Sequence, residues 1–210
     1  MIARVIGAAR VIGALGISLV LISCESVSGA GFRTVQGGMS VNVGNNVTVD
    51  PQIVWANPFG AGISTTVWTI DGFGLNEVRF LMGIKPGNPL TRVSGVPQSE
   101  LGSYSATMLP NDVMDLLAST LGKAEFQQIR AERLRPAQFG AVQGFRFDLD
   151  YLRKSGLQMK AMVLAAQRGE TLDLIMFSAP AEYYFDRYAP TVEQIFASVQ
   201  ASAPAQARAS

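Results

Sequence analysis

The feature that most constrains this chain is a run of strand-like segments in its second half. Phe145-Arg-Phe-Asp-Leu-Asp-Tyr151 alternates strictly, with aromatic and aliphatic residues at one parity and Arg146, Asp148 and Asp150 at the other. Side chains along a strand point to opposite faces in turn, so such a segment buries one face and wets the other. Two further strand-like runs follow at residues 157–166 and 171–177, and the connection Gln167-Arg-Gly-Glu170 between them suits a hairpin. A meander of long antiparallel strands is therefore expected at the centre of the fold.

Other elements arrange themselves around that meander. Upstream, Phe126, Ile129 and Leu134 suggest another strand, with Pro136 marking its end or an edge. A helix is well marked before it: Pro110 and Asn111 or Asp112 open it, Val113, Leu116, Leu117 and Leu121 form one stripe, and Gly122 closes it. The first half offers strand-like stretches at residues 40–43, 52–56, 64–70 and 77–84, with Asp71-Gly72 favouring a tight turn. After the meander comes a short helix near residues 181–188. A last helix is expected from Pro190, with Val192, Ile195, Phe196 and Val199 at the spacing of one buried stripe. Strands followed by helices point to α+β, an antiparallel sheet covered by helices. One domain over residues 39–200 suits this length.

The closing segment carries a pattern of its own. Leu172-Asp-Leu-Ile-Met-Phe-Ser-Ala-Pro180 is followed by Tyr184-Phe185, Tyr188, Pro190 and Ile195-Phe196-Ala197-Ser198-Val199. In its last 60 or so residues the chain resembles the PsbP-like α/β/α sandwich domains, which share an apolar strand, Ser-Ala-Pro or a similar sequence, an aromatic short helix, a proline and a final amphipathic helix. The resemblance implies an α/β/α sandwich and describes a fold more than a function. The strand order of the first half stays open.

The N-terminus is of another kind. Arg4 and Arg10 precede an unbroken apolar or small-residue run from Val11 to Ser23, and Leu21-Ile-Ser-Cys24 closes it. A charged start, an apolar stretch and small residues before a cut site make a signal peptide. The run is shorter than the ~20 residues of a transmembrane helix. Leu21-Ile22-Ser23-Cys24 resembles the lipobox of bacterial lipoprotein precursors. That resemblance implies cleavage after residue 23 and a diacylglyceryl group on the Cys24 thiol. A plain secretory signal, leaving Cys24 as a free thiol, is the competing reading. On the first reading residues 24–38 are the lipidated cysteine and a Ser- and Gly-rich flexible tether, and 201–210 are a disordered tail of small residues.

Composition narrows the chemistry. The chain has no histidine, and Cys24 is its single cysteine. Histidine-based nucleophile systems, histidine metal ligands and an intrachain disulfide are thereby excluded. Without residues 1–23 the chain keeps 15 basic and 16 acidic residues, so no basic footprint invites nucleic acid. No cofactor is expected.

The remaining candidates are few. Asp148 and Asp150, two apart on one strand face, could bind a hard cation or act as acid and base, or simply belong to a solvated face with basic partners. Ser119 and Lys123 stand at helical spacing, but Lys123 reads more simply as a cation near a helix C-terminus. Gly72-Phe-Gly74-Leu-Asn-Glu77 lacks the third glycine and the following helix of a dinucleotide loop. Tyr183, Tyr184 and Tyr188 suggest an interaction patch, and Trp55 and Trp68 are ambiguous between core and interface. The expectation is a lipid-anchored protein of the cell envelope, its domain facing the periplasm, non-enzymatic, with an envelope protein as partner. A binding protein for a small apolar or lipidic ligand is the alternative. A carboxylate-dependent hydrolase comes last.

Overall fold

The computed structural model describes residues 31–59 and 65–201. In chain order its elements are β1 (Gly31–Val35), β2 (Val41–Gly44), β3 (Val47–Val49), β4 (Trp55–Phe59), β5 (Thr66–Trp68), β6 (Glu77–Ile84), α1 (Pro110–Lys123), β7 (Gln127–Phe139), β8 (Val142–Leu152), β9 (Gln158–Arg168), β10 (Thr171–Pro180), α2 (Tyr184–Ala197) and β11 (Gln200–Ala201). The expected meander forms most of a six-stranded sheet in the order β5-β6-β10-β9-β8-β7, antiparallel throughout. Arg168 pairs with Thr171, leaving Gly169 and Glu170 as a two-residue turn.

Residue parity explains why the two central strands read as continuous apolar runs. Met159, Ala161, Val163 and Ala165 of β9, with Leu172, Leu174 and Met176 of β10, face one core, shared with Val113, Leu116, Leu117 and Leu121 of α1. Met162 and Leu164, with Ile175, Phe177 and Ala179, face the other, shared with Val192, Ile195 and Phe196 of α2. A strand buried on both faces has no wet parity to show. In β8 only one parity is buried, Phe145 to Tyr151 on the α1 side. The α/β/α layering is thus present, and two small sheets complete the α2 side: β1 with β4, and the order β11-β3-β2. They contribute Val35, Val43, Val47, Val49 and Trp55 to that core.

Several expectations need correction. Residues 181–197 do not split at Pro190, because α2 runs through it as one helix. The proline removes a single N–H, and the stripe Tyr188, Val192, Ile195, Phe196 packs continuously across it. For Pro136 the edge alternative holds: β7 continues through it, pairing it with Phe145, and as the last strand of the sheet has only one neighbour to satisfy. Its register shifts on either side of Gln128 and Arg133, both with left-handed φ (50° and 58°), so β7 carries two bulges. Helix α1 extends past Gly122 to Lys123, with Ala124 as its cap. The stretch read as tether includes β1, whose Val35 is buried opposite Trp55. Ala201, assigned to the tail, pairs with Val47 in β11 and is buried. The signal peptide, Cys24 and residues 202–210 lie outside the described residues.

One buried charge pair ties these parts together. Asp173 of β10 is fully buried and Arg168 of β9 is 7% exposed, with Arg168 Nε 2.5 Å from Asp173 Oδ2. The other carboxylate oxygen accepts from the Gly83 N–H (2.6 Å) and from Asn45 Nδ2 (2.9 Å). The Arg168 guanidinium also donates to the Asn45 carbonyl. Asn45 and Asn46 both have φ > 0 (48° and 55°), the geometry of a tight hairpin turn between β2 and β3. Gly83, at φ 67°, sits where β6 bulges against β10. Removing one member of a buried pair strands the other charge, at roughly 3–5 kcal/mol. Arg168→Met is expected to lower unfolding free energy by about that amount, read from denaturant midpoints at unchanged slope.

Candidate functional site

The sequence-predicted residues do not converge. Asp148 is held by Arg133 Nε at 2.7 Å and Arg135 Nη1 at 3.3 Å, both from β7. Asp150 stands opposite Arg130 on one side and Lys160 on the other. Arg146 makes a two-pronged pair with Glu193 of α2, at 2.7 and 2.6 Å. The wet parity of β8 is therefore a lattice of opposite charges across strands and onto α2. Among the described residues no group of three or more acidic, Cys or His side chains gathers to hold a metal. Ser119 and Lys123 are both on exposed positions of α1. Gly72 and Gly74 take left-handed φ in a turn that leads into strand β6, and Glu77 Oε1 accepts the Gly74 N–H at 2.6 Å. That turn is structural.

Trp55 and Trp68 are core residues, 1% and 0% exposed. Trp55 Nε1 donates to the Pro51 carbonyl at 2.9 Å, and Trp68 packs on Phe80 with ring centroids 4.5 Å apart. The tyrosine cluster separates. Tyr188 is buried and donates to Asp71 Oδ2 at 2.6 Å. The same oxygen accepts from Asn76 Nδ2 at 2.5 Å, while Asn76 Oδ1 accepts from the Ile70 N–H (2.7 Å) and Thr69 Oγ1 (3.1 Å). Tyr188 thus closes a network that pins the β5–β6 turn to α2. Tyr184 is half-buried against the α2-side core. Only Tyr183 is presented, at 60% exposure.

Tyr183 is also strained. Its φ and ψ are 70° and −57°, and the Tyr184 N–H donates to the Glu182 carbonyl at 2.9 Å, which makes a γ-turn centred on Tyr183. A bulky residue held there costs on the order of 1–3 kcal/mol. Arg187, one helical turn on, lies over both the Tyr183 and Tyr188 rings at 5.3 Å and donates to the Tyr183 hydroxyl. An aromatic ring is thereby fixed outward at the head of α2, stacked with a cation.

Sequence reasoning missed a cavity of about 280 Å³ on the opposite side of the sheet, between α1 and strands β6, β8 and β10. Its apolar wall includes Leu81, Leu117, Leu121, Phe126 and Met176, and Arg79, Arg92, Arg153 and Tyr151 also line it. Burial pushes the Tyr151 phenol above its ordinary range, so it stays protonated at neutral pH despite a hydrogen bond with Ser178 and the pull of Arg153. No local pattern announces this site, because its residues come from separate elements.

No protein-family model and no curated protein matches the chain. Among solved structures it is similar to the solution structure of cyanobacterial PsbP (CyanoP) from Synechocystis sp. PCC 6803, at 12% identity and a TM-score of 0.52, covering 87% of this chain and 99% of that one. At that identity the likeness speaks for the fold alone. It agrees with the PsbP-like reading of the closing segment and extends it to the first half.

Two outcomes are expected from the Tyr188 network. Burial first, then the Asp71 hydrogen bond and charge, push the Tyr188 phenol up to about 12. The folded state favours the neutral phenol, so the stability it contributes is complete below pH 10 and is lost as pH rises through about 12. An ultraviolet titration of tyrosinate, compared with Tyr188→Phe, checks this. The same substitution removes one donor from a carboxylate that keeps Asn76 and is expected to cost about 1–2 kcal/mol, measured by chemical denaturation.

Proposed function

We propose that this chain is a lipid-anchored, non-enzymatic accessory protein of the bacterial cell envelope, whose PsbP-like domain faces the periplasm and docks an envelope protein through the head of α2. The observation behind the docking role is Tyr183: an exposed ring kept in an unfavourable backbone conformation and stacked on Arg187. Strain of that kind persists only where the surroundings enforce it, and tyrosine and arginine are favoured anchors at the centres of interfaces. The anchoring role rests on Leu21-Ile22-Ser23-Cys24 after its charged and apolar lead. Domain strand β1 begins at Gly31, so seven peptide steps join it to Cys24, a reach of at most about 25 Å. Such a leash holds the fold beside the bilayer and raises its encounter rate with neighbouring membrane proteins.

Among the described residues no helix is long and apolar enough to cross a membrane. The anchor proposed is the lipid, and two or more acyl chains are needed for stable attachment. A second reading, ligand binding, is favoured by the cavity beneath α1. Hydrolysis by Asp148 has the least support, since Arg133 and Arg135 already occupy that carboxylate.

Mass spectrometry of membrane-extracted protein is expected to find Cys24 as the first residue and acylated, and Cys24→Ala to leave the membrane fraction. An unmodified thiol or another start site would refute the anchor. For docking, cross-linking in membranes is expected to give one stoichiometric adduct that Tyr183→Ala abolishes. Tyr183→Gly, which relieves the φ strain, is expected to keep stability within about 1 kcal/mol while losing the adduct too. An adduct that survives both substitutions rules the docking surface out.

A further inference from the structure

The cavity beneath α1 is neither apolar throughout nor a bare charged cleft. One wall is hydrocarbon, from Leu81, Leu117, Leu121 and Met176. The other carries three arginines, Arg79, Arg92 and Arg153, against a single carboxylate, Glu77. Glu77 is already committed, with Oε2 taking Arg79 Nε at 2.8 Å and Oε1 taking the Gly74 N–H at 2.6 Å. Two positive charges on the lining are therefore left over.

Arg153 is the more telling of the two. It makes no ion pair with any described carboxylate, and its Nε is buried without a hydrogen-bond partner. Its place is nonetheless fixed. The guanidinium lies against Gly74, where an added Cβ would come within 2.6 Å of Nη1. Gly74, at φ 85°, is thus required both for its turn and for the room this arginine occupies. A cation without a counter-charge inside a partly desolvated wall is costly unless something else supplies the charge. Arg92 stands at the rim, exposed and likewise without an ion pair among the described residues. The Tyr151 hydroxyl and Ser178 add neutral hydrogen-bonding groups deeper in.

We propose that this cavity binds a small amphiphilic anion, its carboxylate or phosphate head on Arg153 and Arg92 and its short apolar body against Leu81, Leu117, Leu121 and Met176. The arginine fork matches the planar, two-oxygen geometry of such a head. The volume, about 280 Å³, lies near the lower end for small-molecule sites and limits the body to one ring or a short chain. This deepens the ligand-binding reading, on which it rests, and is independent of the lipid anchor and of Tyr183.

Calorimetric titration of the full protein in a non-ionic detergent tests it with three probes: 3-phenylpropanoate, 3-phenylpropan-1-ol and inorganic phosphate. The carboxylate is expected to bind at least about tenfold tighter than the alcohol, the ratio a charge-assisted contact supplies, and tighter than phosphate, which has no apolar body. Arg153→Gln and Arg92→Gln should each remove about that tenfold. Arg92 is on an exposed loop, so its variant reports on binding even where Arg153→Gln impairs folding. Equal affinity for carboxylate and alcohol would keep a ligand pocket and refute the anionic head. Phosphate binding as tightly as the carboxylate would refute the amphiphile, and no binding by any probe would remove the pocket reading as well.

Discussion

The arrangement depends on one carboxylate with no access to water. Asp173 lies in the middle of the main sheet's end, and three separate chain segments reach it: Arg168 across the β9–β10 hairpin, Gly83 at the β6 bulge and Asn45 in the β2–β3 turn. An isolated buried carboxylate would be prohibitive, so each of these donors is obligatory once Asp173 is inside. The consequence is geometric as much as energetic. The small sheet is located against the large one by fixed hydrogen bonds, whereas hydrophobic contact alone would let it slide. The bulge at Gly83 is explained in the same way, since it turns a backbone N–H of β6 toward Asp173.

Much of the central architecture was legible because it is written locally. The alternation at Phe145–Tyr151 and the Gly169-Glu170 turn set the meander, and the stripes Val113–Leu121 and Val192–Phe196 set which helix faces are covered. What escaped was written at long range. Nothing near Thr34-Val35 announces that β4 waits about twenty residues on, and nothing in Gln200-Ala201 points back to Val47. Pro190 suggested an interruption that packing made unnecessary, whereas Pro136 marked an edge strand as one of its two readings had it. The β2–β3 hairpin is written more faintly: Val41, Val43, Val47 and Val49 alternate around Asn45-Asn46, but the strands are only four and three residues long and the turn has no glycine after its asparagines.

The functional surfaces divide the same way. The tyrosines were visible as a cluster, yet only the backbone could sort them into Tyr183 outside, Tyr184 at the edge and Tyr188 inside. Composition had already removed histidine chemistry, and the structure accounts for Asp148 among the remaining carboxylates by giving it its arginines. The cavity was invisible for a physical reason. Arg79, Arg92 and Arg153 are separated by long stretches of chain, and a lone arginine in a strand or loop is ordinary until its neighbours are known.

The pairing of β11 with β3 has an implication for how such a chain matures. Val47 and Val49 obtain their last neighbouring strand only from residues 200–201, more than 150 positions later. A polypeptide emerging N-terminus first would therefore hold β3 without that neighbour until residues 200–201 had followed. Completion comes as a single late closure, and a product that lacked residues 200–201 would keep that seam open.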